Sequence, residues 1–256
     1  MGKIVVFDSG FGSLSVIKAI QKRTKSHIIY FADQKNYPYG KKSKSELEKI
    51  IKHTVSYLKK KFKPDLIVVG SNTPSLLIGK LFSNDDTVIG VLPPLHTAQQ
   101  ITKTNSIAVL VTSSVANSPE LDEYVRKNLT KKIKVAKIDS SELVDLVESG
   151  KFIHSKRFCT DKITSVLKQK FTSESVDVAT LSSTHLPFLL PILQQVFPDV
   201  TFLDPADGVA KQITDHKLFL PSKRNTIKIF SSANPNKFQA HLKKIGIKKS
   251  VGEINF

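Results

Sequence analysis

Short apolar runs recur along this chain. Each stops abruptly at polar side chains and is followed by a stretch with helical spacing. The runs at 3–7, 27–31, 66–70 and 87–91 read as buried strands, and those at 107–111, 134–138, 176–181 and 200–203 repeat the scheme before a last one at 226–230. Helices are expected between them at 14–22, 44–62, 118–128, 142–148, 154–170, 187–196, 206–214 and 236–245. The 44–62 segment is the plainest, with Leu47, Ile51, Val55, Leu58 and Phe62 on one stripe. A long loop is expected at 32–43, and Pro93-Pro94 marks a crossing point between two halves. Strands alternating with helices imply parallel sheets, with ligands bound outside the carboxyl ends of the strands. The fold class expected is α/β, as two pseudo-symmetric parallel-sheet domains.

Two segments echo each other. Asp65 leads through Leu-Ile-Val-Val-Gly to Ser71, Asn72 and Thr73. Asp177 leads through Val-Ala-Thr-Leu-Ser to Ser183, Thr184 and His185. Each reads as a buried strand ending at a polar turn that opens a helix, with Pro74 and Pro187 close behind. A duplicated strand and turn suits two half-molecules that each supply one reactive position to a single site.

Composition bounds the alternatives. The chain has 256 residues, 40% hydrophobic and 24% charged, enough for a real core. No apolar stretch is long enough to span a bilayer. The amino-terminal run reads as a strand and not as a leader, and Val6 breaks a myristoylation signal, so a cytoplasmic location is expected. One cysteine, Cys159, cannot form an internal disulfide or a Cys-rich metal site. The net charge of +17 comes mostly from lysines spread along the chain without interleaved aromatics, so a solvated surface is favoured over nucleic acid. A positive field also draws in a small dianion.

Most catalytic motifs fail on inspection. Gly10-Phe-Gly12-Ser-Leu-Ser15 lacks the third glycine of a dinucleotide loop, and Asp8 would repel a pyrophosphate. Ser71 lies outside any Gly-x-Ser-x-Gly turn, and the seven histidines do not fall at metal-ligand spacing. Taken singly, Asp8 reads equally as a cap, His185 as a helix-start hydrogen bonder and Glu148 as a surface acid.

Taken together, these residues resemble the glutamate racemase family of the aspartate/glutamate racemase superfamily. The resemblance runs through Val6-Phe-Asp8-Ser9-Gly10-Phe-Gly12, Tyr30-Phe-Ala-Asp33, Tyr37-Pro-Tyr39-Gly40, Ser71-Asn72-Thr73, Glu148 before a glycine, Ser183-Thr184-His185 and Leu203-Asp204-Pro205. It implies a reaction without cofactor or metal, in which two cysteines flank the α-carbon of an acidic amino acid. One thiolate takes the proton and the other thiol delivers one to the opposite face. It further implies Asp8 beside the first reactive position, Glu148 and His185 beside the second, and Ser9, Tyr39, Gly40, Asn72, Thr73, Thr112 and Thr184 as ligand contacts.

The chain departs from that pattern at the decisive point, because both thiol positions are serine, Ser71 and Ser183. A free alkoxide costs on the order of 5–7 kcal/mol more to form than a thiolate at fixed pH. Weakened or altered racemisation is therefore expected, with a non-catalytic binder of an acidic amino acid or of a protein partner as the alternative. Val115, Ser182 and Leu186 also depart from the family pattern around the same pocket. The expected domains are 1–95 with 208–256, and 96–207, with the site in the cleft between them. The expected partner is a small acidic amino acid, neither nucleic acid nor membrane is expected, and a homodimer is left open.

Overall fold

A computed structural model describes residues 2–255. Its strands, in chain order, are β1 (Lys3–Asp8), β2 (His27–Ala32), β3 (Leu66–Val69), β4 (Val88–Gly90), β5 (Ser106–Val111), β6 (Lys134–Asp139), β7 (Val178–Leu181), β8 (Thr201–Leu203), β9 (Thr226–Ser231) and β10 (Val251–Glu253). They form two sheets, ordered β10-β9-β2-β1-β3-β4 and β6-β5-β7-β8, and every pairing is parallel. The chain divides into two compact units, Met1–Val91 with Ala206–Phe256, and Leu92–Pro205, with one sheet in each.

In the first unit β1 lies between β2 and β3, with Phe7 level with Phe31 on one side and Val69 on the other. Ile4 to Phe7 are fully buried, as a central parallel strand covered on both faces requires. Helix Leu14–Arg23 carries the chain from β1 to β2. Helix Lys44–Phe62 then carries it back across β1 to β3, which puts the reversal of strand order between β1 and β3. That helix buries Leu47, Ile51, Val55 and Leu58. Its start is fixed by a reciprocal cap in which Ser43 N–H donates to Glu46 (3.0 Å) and Glu46 N–H to Ser43 Oγ (3.3 Å). Lys59, Lys60 and Lys61 occupy the last turn, where cations suit the helix dipole.

The second unit repeats the arrangement. β5 lies between β6 and β7, buried along its whole length, and the reversal falls between β5 and β7. Helix Lys156–Ser173 buries Cys159, Ile163, Leu167 and Phe171, a stripe at four-residue spacing.

The two echo aspartates do the same job at the far end of the sheet from the polar turns. Asp65 Oδ2 accepts the N–H of Lys3 at the start of β1 (2.7 Å). Asp177 accepts the N–H groups of Lys103 (2.6 Å) and Thr104 (3.1 Å) just ahead of β5, and the hydroxyls of Thr102 (2.6 Å) and Thr104 (3.0 Å). In each unit the carboxylate pins the third strand to the start of the first.

The sequence pattern differs from the structure in places. The helix expected at 154–170 is present as Lys156–Ser173, set off at Ser155, whose backbone leaves helical values (φ −132°, ψ 55°), from a further short helix, Lys151–His154, that the pattern does not show. The segment expected as one helix at 187–196 opens with a tight turn, Leu186–Leu189, before helix Leu190–Val196. Helix Leu95–Ile101 and strand β10 were not expected. The first follows two prolines and is short, and Val251-Gly-Glu253 offers no apolar run. Among the described residues, no helix is long and apolar enough to cross a membrane.

Asp177→Ala should lower stability by about 1–3 kcal/mol at neutral pH, because several charge-assisted bonds are lost together. Burial pushes the Asp177 carboxyl up, but the bonds from Thr102, Lys103 and Thr104 outweigh it and hold the group below its ordinary value. Its contribution is therefore complete above the unfolded value of roughly pH 4 and is lost as pH falls through the lower folded value. Urea unfolding should show a gap between parent and variant at neutral pH that closes in strong acid.

Candidate functional site

The polar residues singled out in the sequence gather in each unit at the carboxyl end of the sheet, beside the point where strand order reverses. In the first unit, Asp8 ends β1 and Ser71 follows Gly70 at the end of β3. The two strand ends are joined by a bond from Gly70 N–H to the Phe7 carbonyl (2.8 Å). Asp8 is 2% exposed, and its Oδ1 accepts the N–H of Ser9 (2.7 Å). Ser9 Oγ in turn accepts the N–H of Tyr39 (3.2 Å), and its carbonyl accepts the side-chain amide of Gln34 (2.5 Å). The tight turn Tyr39–Lys41, which contains Gly40, packs against helix Asn72–Leu77. Asp8, Ser9, Tyr39, Gly40, Ser71, Asn72 and Thr73 thus share one corner of this unit.

Ser71 takes the N-cap position of helix Asn72–Leu77, yet its hydroxyl caps nothing. The backbone there is held by Ser75, whose Oγ donates to the Ser71 carbonyl (2.7 Å) and accepts the N–H of Val91 (2.9 Å). Asn72 is 3% exposed, and its Nδ2 donates to the Val91 carbonyl (3.0 Å). That bond fixes which way the amide points. Asn72 Oδ1 is left buried with no partner among the described residues, an acceptor that calls for a donor.

Beneath the turn lies Asp33, fully buried. It accepts from Tyr39 OH (2.9 Å), from Asn36 Nδ2 (3.0 and 2.9 Å) and from Ser232 Oγ (3.1 Å). Burial holds its carboxyl above the ordinary carboxylate range against the opposing pull of those bonds. Burial, together with the Asp33 charge, pushes the Tyr39 phenol well above its usual value. Tyr39 is therefore a fixed, neutral donor. Tyr30 OH, bonded to the Gly10 carbonyl, ties the loop after β1 to β2.

The second unit has a different chemistry at the corresponding corner. Thr112 follows β5, Ser183 follows β7, and these strands are adjacent, with Leu110 level with Leu181. Ser183 and Thr184 are buried at 6% and 3% exposure. His185 Nε2 meets Glu148 Oε1 at 2.5 Å, because the end of helix Ser141–Glu148 packs on the Leu186–Leu189 turn. Hydroxyls line the rest, with Thr112 Oγ1 at 3.3 Å from Ser114 Oγ and Thr180 Oγ1 at 2.8 Å from Ser182 Oγ. Thr112, Glu148, Ser183, Thr184 and His185 therefore share a corner of this unit.

Sequence reasoning did not find Ser75 or Ser232, because their partners lie far off along the chain. Asp33 was visible as a polar residue just after a strand end, but not as the buried carboxylate that Tyr39, Asn36 and Ser232 surround. Among the described residues, no group of acidic, histidine and cysteine side chains is placed to hold a metal ion. Cys159 sits near the start of helix Lys156–Ser173; it is fully buried, and burial pushes its thiol up.

The approach of β3 to the loop after β1 leaves no room for a side chain at Gly70. A Cβ there would lie 2.5 Å from Ser13 Cβ and 3.0 Å from the Phe7 carbonyl oxygen. Gly70→Ala is expected to cost about 1–3 kcal/mol through overpacking, and adding Ser13→Gly should return much of it. Denaturant midpoints of the single and double variants check this.

No family model matches the chain. Among curated proteins it is similar to glutamate racemase 1 of Caldanaerobacter subterraneus subsp. tengcongensis, at 31% identity over 219 residues, covering 83% of this chain and 79% of that protein. Among solved structures it is similar to glutamate racemase isoform RacE1 of Bacillus anthracis, with a TM-score of 0.87 and 24% identity over 100% of this chain and 98% of that one. It is also similar to the Escherichia coli glutamate racemase solved with L-glutamate and the activator UDP-MurNAc-ala, with a TM-score of 0.84 and 23% identity, covering 99% and 98%. The two structural likenesses show a shared fold, the aspartate/glutamate racemase fold.

Proposed function

The chain belongs to the glutamate racemase family, and on that premise we propose that it binds glutamate or a close acidic relative and exchanges the α-proton without a cofactor, slowly, using serines where its family uses thiols. The observation that carries this reading is Asn72. Its amide is locked by Val91, so the orphaned Oδ1 beside Ser71 is a ready acceptor for an ammonium group. In this reading Ser9, Tyr39, Gly40 and Thr73 in the first unit, and Thr112 and Thr184 in the second, supply N–H and hydroxyl donors for the two carboxylates, which suits two corners each rich in such groups. The net positive charge of the chain favours capture of a dianion.

The proposed reaction has a single chemical demand. A base removes the α-proton from one face, and an acid returns one to the other. Ser71 and Ser183 occupy the positions that the family resemblance assigns to this pair. An unassisted alkoxide is on the order of 5–7 kcal/mol harder to form than a thiolate, which alone slows the step by about four to five orders of magnitude. Asp8 in the first unit and His185, held by Glu148, in the second are the groups that would accept the proton through or instead of the hydroxyl.

A second reading, a protein that binds an acidic amino acid or a partner protein without turning anything over, is favoured by the absence of any usable thiol. Cys159 is buried and its thiol is pushed up, so it cannot stand in. Heavy-water exchange separates the readings. With either enantiomer of glutamate, α-deuterium entry followed by NMR should be slow but measurable in the chain as it stands on the racemase reading, and absent on the binder reading. It should rise by about a thousandfold or more in the double variant Ser71→Cys with Ser183→Cys. Exchange that stays absent in the double variant, with glutamate still bound in calorimetry, would reject the racemase reading and leave the binder.

A further inference from the structure

We propose that Ser232, at the end of β9, is a positioning residue for the ligand loop 35–42, acting through Asp33. The proposal rests on the reading of Tyr39 and Gly40 as ligand contacts and goes beyond it. It assigns a role to the carboxy-terminal part of the chain, where the sequence showed no chemistry.

The geometry is a short relay. Ser232 N–H donates to the Ala32 carbonyl (3.0 Å), which seats the serine beside the end of β2. Its Oγ accepts the N–H of Lys35 (3.0 Å) and donates to Asp33 Oδ1 (3.1 Å). The other oxygen of Asp33 accepts from Tyr39 OH (2.9 Å), and Asn36 Nδ2 reaches both oxygens. One buried hydroxyl thus touches the loop at its beginning and, through one carboxylate, at the ring of Tyr39. The backbone N–H of the same Tyr39 meets Ser9 Oγ, so the relay ends at a proposed ligand group.

A hydroxyl is required at position 232 because one atom both accepts and donates. With alanine, the Lys35 N–H loses its partner and Asp33 keeps a buried oxygen with one bond fewer, a loss that falls on a carboxylate already burdened by desolvation. Ser232 itself is 8% exposed and reaches the loop through Lys35 and Asp33. Its effect is on order, and not on contact with ligand.

Hydrogen exchange on the whole ligand-free chain, read by mass spectrometry, tests this. Ser232→Ala should speed exchange of the 35–42 amides about tenfold and leave the amides of β3 unchanged. Ser232→Thr keeps the hydroxyl and should restore the slow exchange. Asp33→Asn, which keeps one acceptor, should fall between. Calorimetry with L-glutamate should then show affinity weakened about threefold or more in Ser232→Ala and recovered in Ser232→Thr. Exchange at the parent rate in both Ser232→Ala and Asp33→Asn overturns the relay, and faster exchange with unchanged affinity overturns the positioning role. Failure of the parent chain to bind glutamate counts instead against the proposed function and removes the ligand half of the inference. The exchange arm is read without ligand, so the two failures are told apart.

Discussion

In each unit the strand laid down first is hydrogen-bonded on both sides by strands that come later. β1 is enclosed by β2 and β3, and β5 by β6 and β7. Helical crossovers reach one side and then the other, so the chain must reverse its direction of travel across the sheet next to that first strand. At the reversal the flanking crossovers diverge, and the strand ends cannot cover one another. Polar turns can sit there because they are not obliged to pack. The aspartates at the opposite ends of β3 and β7 hold this geometry by fixing the third strand against the start of the first.

The two corners share a plan but not a chemistry. The first is built around carboxylates and fixed amides: Asp8 held by a backbone N–H, Asp33 surrounded by donors, Asn72 locked by Val91. The second is built around hydroxyls and a His185–Glu148 pair. On the proposed reading this asymmetry matters for serine chemistry. The group that would relieve Ser71 of its proton is an acid's conjugate base, while the group near Ser183 in sequence is an imidazole already engaged by a carboxylate.

The alternation of strands and helices, the parallel sheets and the position of the polar turns were legible in the sequence, because buried parallel strands write continuous apolar runs and turns interrupt them, whereas the order of strands within each sheet was not. The echo of Asp65 and Asp177 was legible as a pattern but not as a function. Its meaning lies in backbone groups 62 and 74 residues away, which no local pattern encodes. Ser75 and Ser232 were invisible for the same reason, each being a serine among many until its partners are known. β10 escaped because it is three residues long and its middle residue is Gly252, where a Cβ would meet the Phe230 ring at 2.9 Å, so the strand leaves no hydrophobic trace. The orientation of the Asn72 amide, the most telling feature of the first corner, depends on the Val91 carbonyl nineteen residues on.

The burial of Cys159 has a consequence for how this chain meets oxidative stress. Its only other sulfur is in the residue that begins the sequence. A pair of activated thiols is a ready target for peroxide, climbing irreversibly past the sulfenic state. Hydroxyls at 71 and 183 are inert to it, and the one thiol that remains is shielded by its helix. On the proposed reading, the serines that cost proton-transfer power also leave both polar corners without a sulfur for hydrogen peroxide or thiol-directed electrophiles to attack.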